Sequence, residues 1–175
     1  MYALEGKIPP EGDLYDPVGI VDGARFGGRG SIERKFVKHL TILLLNSKTL
    51  RGVVASLNIR LKQEEPELAK YYFGMTDRKP SLWAKRIQER HSPIGEWFLT
   101  ERALEYMNID SQICMAVLSK MVDRHIPCLS VHDSFIVMRE HEYLLRQAMI
   151  EAFADVTGAT STGVVDEQAD SPLLH

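Results

Sequence analysis

Residues 126–138 read Ile126-Pro-Cys-Leu-Ser-Val-His-Asp-Ser-Phe-Ile-Val-Met138, two short apolar runs that meet at His132-Asp133-Ser134. Leu129 and Val131 alternate with Ser130, and Phe135, Ile136 and Val137 favour strands, so the stretch predicts a tight β-hairpin with one acid at its tip. Asp and Ser suit the reversal because their side chains bond nearby backbone donors. An aspartate fixed on a rigid hairpin beside an imidazole is placed to hold a divalent metal near a phosphate. The plainer alternative is a turn aspartate that satisfies only its own backbone. Taken alone, the hairpin favours that alternative, so the rest of the chain has to move the balance.

Outward from the hairpin the pattern is mostly helical. Ser31 is placed to cap a helix running to about Leu45, with Ile32, Phe36, Val37, Leu40, Leu43 and Leu44 on one apolar stripe. A second helix is predicted from Thr49 to about Leu61, and Pro66 stops it or starts a successor. Pro80 opens a helix to about Arg90, and a short helix holding Trp97 and Phe98 follows. A short strand is expected at Leu104–Met107. Asn108 to Ser111 then offer caps for a helix ending near His125, and a last helix covers about Glu140 to Ala154. Residues 1–30, broken by Pro9-Pro10, Gly12-Asp13 and Gly27-Gly28-Arg29-Gly30, read as irregular.

The resulting expectation is a helix-rich α+β domain over residues 1–157 with one small antiparallel sheet, then a disordered acidic tail over 158–175. Trp83 and Trp97 read as core, and His91, His125 and His141 as surface or capping residues. Tyr71-Tyr72-Phe73 is open between core and base stacking.

Composition narrows the function classes. A chain of 175 residues with 45 % hydrophobic and 26 % charged residues is long enough for a sizeable core. Cys114 and Cys128 lack zinc-finger spacing, no apolar leader opens the chain, and no run is long enough to span a membrane. A soluble, cytoplasmic protein is expected. The net charge of −3 conceals an asymmetry: residues 25–62 hold nine bases and one acid, whereas residues 140–175 hold seven acids and one base. Such segregation makes a basic face able to follow a phosphate backbone, although a merely solvated basic helix pair fits as well.

On the helix from Ile32, Arg34 and Lys38 fall about 40° apart, away from Phe36 and Leu40. Two cations stacked on one helix face can cradle a triphosphate. Taken together, Arg34, Lys38 and Asn46-Ser47, then Asp110-Ser111-Gln112-Ile113, then His132-Asp133-Ser134-Phe135 form an ordered series. It resembles the C-terminal palm and fingers of single-subunit, phage-type RNA polymerases, which are related to the A-family DNA polymerases.

That resemblance implies a polymerase-like palm and fingers fold and a nucleotidyltransferase activity. Arg34 and Lys38 match the family's grip on the incoming nucleotide's phosphates, and Asn46 stands where an aromatic residue helps select the sugar. His132-Asp133-Ser134-Phe135 matches the palm hairpin in full, which implies that Asp133 binds catalytic magnesium and that His132 positions the primer end or a phosphate near the metal. Asp110-Ser111 resembles the segment that opens the preceding helix. Arg51, Arg60 and Lys48, with Asp110 and Ser111, are the expected nucleic-acid contacts, and template and nucleoside triphosphates the expected partners.

Two-metal phosphoryl transfer needs a second carboxylate, with ions about 3.5–4 Å apart. Gly12-Asp13-Leu14-Tyr15 resembles the segment that follows the family's first catalytic aspartate. By that register the first aspartate belongs upstream of Met1, on an earlier segment or a separate chain. Asp13 and Asp16 are then surface-loop residues, and this chain alone is expected to have little or no activity. The alternative is a non-catalytic nucleic-acid-binding or accessory protein on the same scaffold. A helical interaction module with a purely structural hairpin is a third.

Overall fold

The computed structural model describes residues 1–2, 4–25, 28–63, 65–132 and 134–159. The chain divides into two compact units, Met1–Leu104 and Glu105 onward. The expected domain over 1–157 thus contains two units, and the tail from residue 160 lies outside the described residues.

The first unit is built on α1, Ile32–Leu45. Ser31 has extended backbone angles and its hydroxyl accepts the Arg34 N–H at 3.3 Å, which satisfies one of the donors that a helix start leaves open. Phe36, Val37, Leu40 and Leu44 are fully buried. They pack against α2 (Leu50–Gln63), α3 (Pro66–Gly74) and α4 (Pro80–Arg90). Proline begins both α3 and α4, where its missing N–H costs nothing.

An aromatic cluster locks this core. The Phe36 ring stacks on Tyr72 at 5.7 Å and meets Trp83 edge-on at 5.2 Å. Tyr72 and Trp83 are therefore core residues, and only Phe73 of the Tyr71-Tyr72-Phe73 run is exposed. A 3₁₀ stretch, Ser92–Trp97, buries Ile94 and Trp97, and Leu99 N–H then donates to the Leu44 carbonyl at 2.7 Å.

Residues 1–30 carry no helix or strand among those described, as expected, yet they are firmly held. Ile20 and Val21 are buried. Arg86 donates to the Ile20 carbonyl and Asp22, and Arg90 donates to the Asp13 carbonyl at 2.7 Å. His91 was expected at a surface or a cap. It is the residue at the C-terminal end of α4, but it is buried, bonding the Tyr2 hydroxyl at 2.7 Å and the Leu14 carbonyl at 3.1 Å.

The second unit packs α5 (Ala103–Asp123) on α6 (Glu142–Thr157) through Val117, Met121, Leu145, Ala148 and Ala152. The expected strand at Leu104–Met107 is instead the first part of α5. Ala103, Leu104, Glu105 and Met107 are all strong helix formers, and Leu104 and Met107 stay exposed, so no sheet face recruits them. His125 at φ 57° ends the helical run, and Ile126 N–H closes it on the Met121 carbonyl at 3.0 Å.

Between these helices lies the predicted hairpin, β1 (Leu129–Val131) antiparallel to β2 (Ser134–Ile136). Its register pairs Leu129 with Ile136, Ser130 with Phe135 and Val131 with Ser134. Cys128, Phe135 and Val137 face the α5–α6 core, whereas Leu129, Val131 and Ile136 face outward. The coarse expectation of a helix-rich α+β protein with one small antiparallel sheet therefore holds. No helix among the described residues is long and apolar enough to cross a membrane.

Candidate functional site

The sequence candidates fall on both units. In the first unit, α1 is backed by the buried core on one side and presents Arg34 and Lys38 on the other. Lys38 is exposed and forms no ion pair among the described residues. Arg34 is engaged: its Nε donates to Asp13 Oδ2 at 2.5 Å and its Nη2 to Asp13 Oδ1 at 3.1 Å. Each side chain of this pair is only 17 % exposed. The Arg34 guanidinium also lies over the Tyr15 ring, 5.2 Å from its centroid.

Asp13 thus departs from the expected surface-loop role. Its Oδ1 additionally accepts the Tyr15 N–H at 2.9 Å, an Asx turn that shapes the loop. The bond from Arg34 holds the Asp13 carboxyl below the usual carboxylate range, with burial opposing and the Tyr15 N–H assisting. Asp16 behaves as expected of a loop residue, its Oδ1 accepting the Val18 N–H at 2.8 Å.

Asn46 is the C-terminal cap of α1. Its backbone N–H bonds the Ile42 and Leu43 carbonyls, and its side-chain Nδ2 donates to the Ile42 carbonyl at 2.8 Å. An amide that closes the last turn of a helix accounts for Asn at this position on structural grounds alone. Lys48 is exposed and pairs with Glu101 at 2.9 Å, a bond that raises the lysine pKa.

Arg51 is exposed and lines an open, mostly apolar groove with Val54, Asn58 and Ser81, between α2 and the start of α4. Arg60 lies nine residues further along α2, about 180° around the helix from Arg51. One straight phosphate track along α2 therefore does not take both arginines.

In the second unit Asp110 and Ser111 are both exposed. They were expected to open a helix but lie well inside α5, because that helix begins at Ala103. At the hairpin tip His132 is exposed and left-handed, at φ 54°. That conformation is uncommon outside glycine and fits the positive φ that two-residue hairpin turns require. Asp133, the expected magnesium ligand, lies outside the described residues. Among the described residues no group of three or more His, Cys, Asp or Glu side chains gathers as a metal site, so they do not form a set that fits a magnesium pair.

Comparison with family models, curated proteins and solved structures returned no match. The chemistry of the chain therefore rests on its own residues. What α1 presents is one guanidinium held by a carboxylate and one exposed ammonium a turn away. The residue that sequence reasoning undervalued is Asp13. The signal available for it was the Gly12-Asp13 turn pair, which marks a turn but not the arginine across from it.

Proposed function

We propose that this chain is a polymerase-like palm and fingers fragment that binds a nucleoside triphosphate and a nucleic-acid template. The observation that carries the reading is the outer face of α1, where Arg34 and Lys38 sit four residues apart on a helix whose other face is fully buried. A rigid backing lets both cations meet a triphosphate without reordering the backbone. The match of Arg34, Lys38 and His132-Asp133-Ser134-Phe135 to the phage-type RNA polymerase series supplies the reaction class. In that reading Asp133 is the candidate magnesium ligand, and two-metal chemistry needs a second carboxylate beside it.

Titration of the full chain with a nucleoside triphosphate, alongside a magnesium-dependent templated incorporation assay, tests the proposal. Arg34→Ala and Lys38→Ala are each expected to weaken triphosphate binding about tenfold, the scale of one charge-assisted hydrogen bond. Incorporation by the chain alone is expected to be low. Binding unchanged in both variants overturns the reading.

A second reading keeps the scaffold and drops the chemistry: a non-catalytic nucleic-acid-binding or accessory protein. The exposure of Lys38, Lys48 and Arg51 on one basic segment favours it. It is distinguished by nucleic-acid binding that depends on salt and on these residues, with triphosphate binding absent.

A further inference from the structure

Resting on the triphosphate-binding reading of α1, we propose that Asp13 is the positioning residue of its anion grip, holding the Arg34 guanidinium by one edge so that the other end meets a phosphate oxygen. A guanidinium has five donors in a planar fork. Asp13 takes the edge made by Nε and Nη2, and no described group bonds Nη1. The fork is therefore held on one side and open on the other.

The holder is itself held. Arg90, the last residue of α4, donates to the Asp13 carbonyl at 2.7 Å and reaches the Glu11 carbonyl at 3.4 Å. His91 bonds the next carbonyl, Leu14, at 3.1 Å. Within the loop, the Tyr15 N–H on Asp13 Oδ1 fixes the carboxylate plane, and the Tyr15 ring lies against the guanidinium. A loop pinned at successive carbonyls resembles a support more than a gate that swings aside. The opposing effect is charge, since the Asp13 carboxylate offsets the positive charge of Arg34 and repels an incoming anion. Lys38, exposed and unpaired among the described residues, supplies the net positive charge that Arg34 no longer does.

The test titrates the full chain with inorganic triphosphate at fixed ionic strength, for wild type, Asp13→Asn, Asp13→Glu and Arg34→Ala. In parallel, the Arg34 Nε–H signal is followed by NMR in the absence of ligand. Asp13→Asn is expected to weaken binding roughly tenfold, and Asp13→Glu to recover part of it, with the Arg34 Nε–H signal moving toward that of a free arginine in Asp13→Asn.

In the wild type the same signal is expected to move only as acid protonates Asp13. Arg29 and Arg90 are the other cations that face this carboxylate or its backbone. Tighter binding by Asp13→Asn makes Asp13 a competitor and overturns the inference. So does unchanged binding by Asp13→Asn when Arg34→Ala binds weakly, and so does a free-arginine Nε–H signal in the wild type at neutral pH, a result that stands even if Asp13→Asn does not fold. Unchanged binding by Arg34→Ala overturns instead the triphosphate reading on which the inference rests.

Discussion

His91 shows how one buried side chain can tie an irregular segment to a helical core. The Leu14 carbonyl can only accept, so Nε2 carries the proton, and Nδ1 accepts from the Tyr2 hydroxyl. The Tyr2 bond requires the neutral ring, because a protonated Nδ1 can no longer accept. Burial lowers the His91 pKa, the Leu14 bond partly restores it, and the Arg90 charge lowers it further. Because the folded state refuses a proton that the unfolded chain accepts near pH 6.5, stability is full above about pH 6.5 and falls as pH drops below it. Thermal unfolding between pH 7.5 and 5 is expected to show this loss in the wild type (about those limits, given the histidine pKa). In His91→Gln the slope should be reduced, and a wild-type Tm that rises on acidification contradicts the assignment. Asp13 acts in a lower window: its folded pKa is depressed, so its contribution is present above the unfolded value near 3.9 and disappears as pH falls through the folded one.

At the level of elements, α1 is the part of the fold whose stability can be argued most directly. Ser31→Ala removes the acceptor for the Arg34 N–H and is expected to cost about 1 kcal/mol in urea unfolding. No measurable cost would show that water or Asp13 replaces the cap. In the second unit Met121 is fully buried between α5 and its neighbours. Met121→Ala is expected to cost about 2–5 kcal/mol and to speed amide exchange in α5 and α6. Local signals made α1 legible, since a serine cap and an apolar stripe point to the same boundaries. They failed at Leu104–Met107, where a four-residue apolar and charged run fits strand or helix alike. There the continuity of α5 decided, because each added residue of a formed helix needs only one more hydrogen bond.

On the scale of the molecule, the concentration of positive charge in residues 25–62 leaves Lys38 and Arg51 exposed in the first unit, while Lys120 and Arg124 of the second unit are paired within it. Lys120 bonds Asp155 at 2.9 Å and Glu151 at 3.5 Å, and Arg124 reaches the same Glu151. A salt titration of nucleic-acid binding should therefore respond to Lys38 and Arg51 rather than to Lys120. Lys38→Ala and Arg51→Ala are each expected to reduce the slope of log K against log salt by about 1, and Lys120→Ala to leave it unchanged. A slope altered equally by Lys120→Ala argues for non-specific attraction to the whole chain. Arg51 and Arg60 should not behave as a pair, given their opposite positions around α2.

The sequence by itself determined the helix-rich α+β class, the limits of α1, the hairpin that reverses near His132, and the stacking of Arg34 over Lys38. Each of these follows from spacing along a few residues, where period and capping chemistry act locally. Only the tertiary structure decided that Asp13 meets Arg34 and that His91 fastens Tyr2 to Leu14. It also decided that Asp110 and Ser111 lie inside a helix rather than at its start. The two fastenings join residues 21 and 89 positions apart through hydrogen bonds. No periodicity encodes such a contact, because it depends on where packing brings two surfaces together. Arg34 was legible as a cation on a helix face, but its direction became legible only with the loop folded against it.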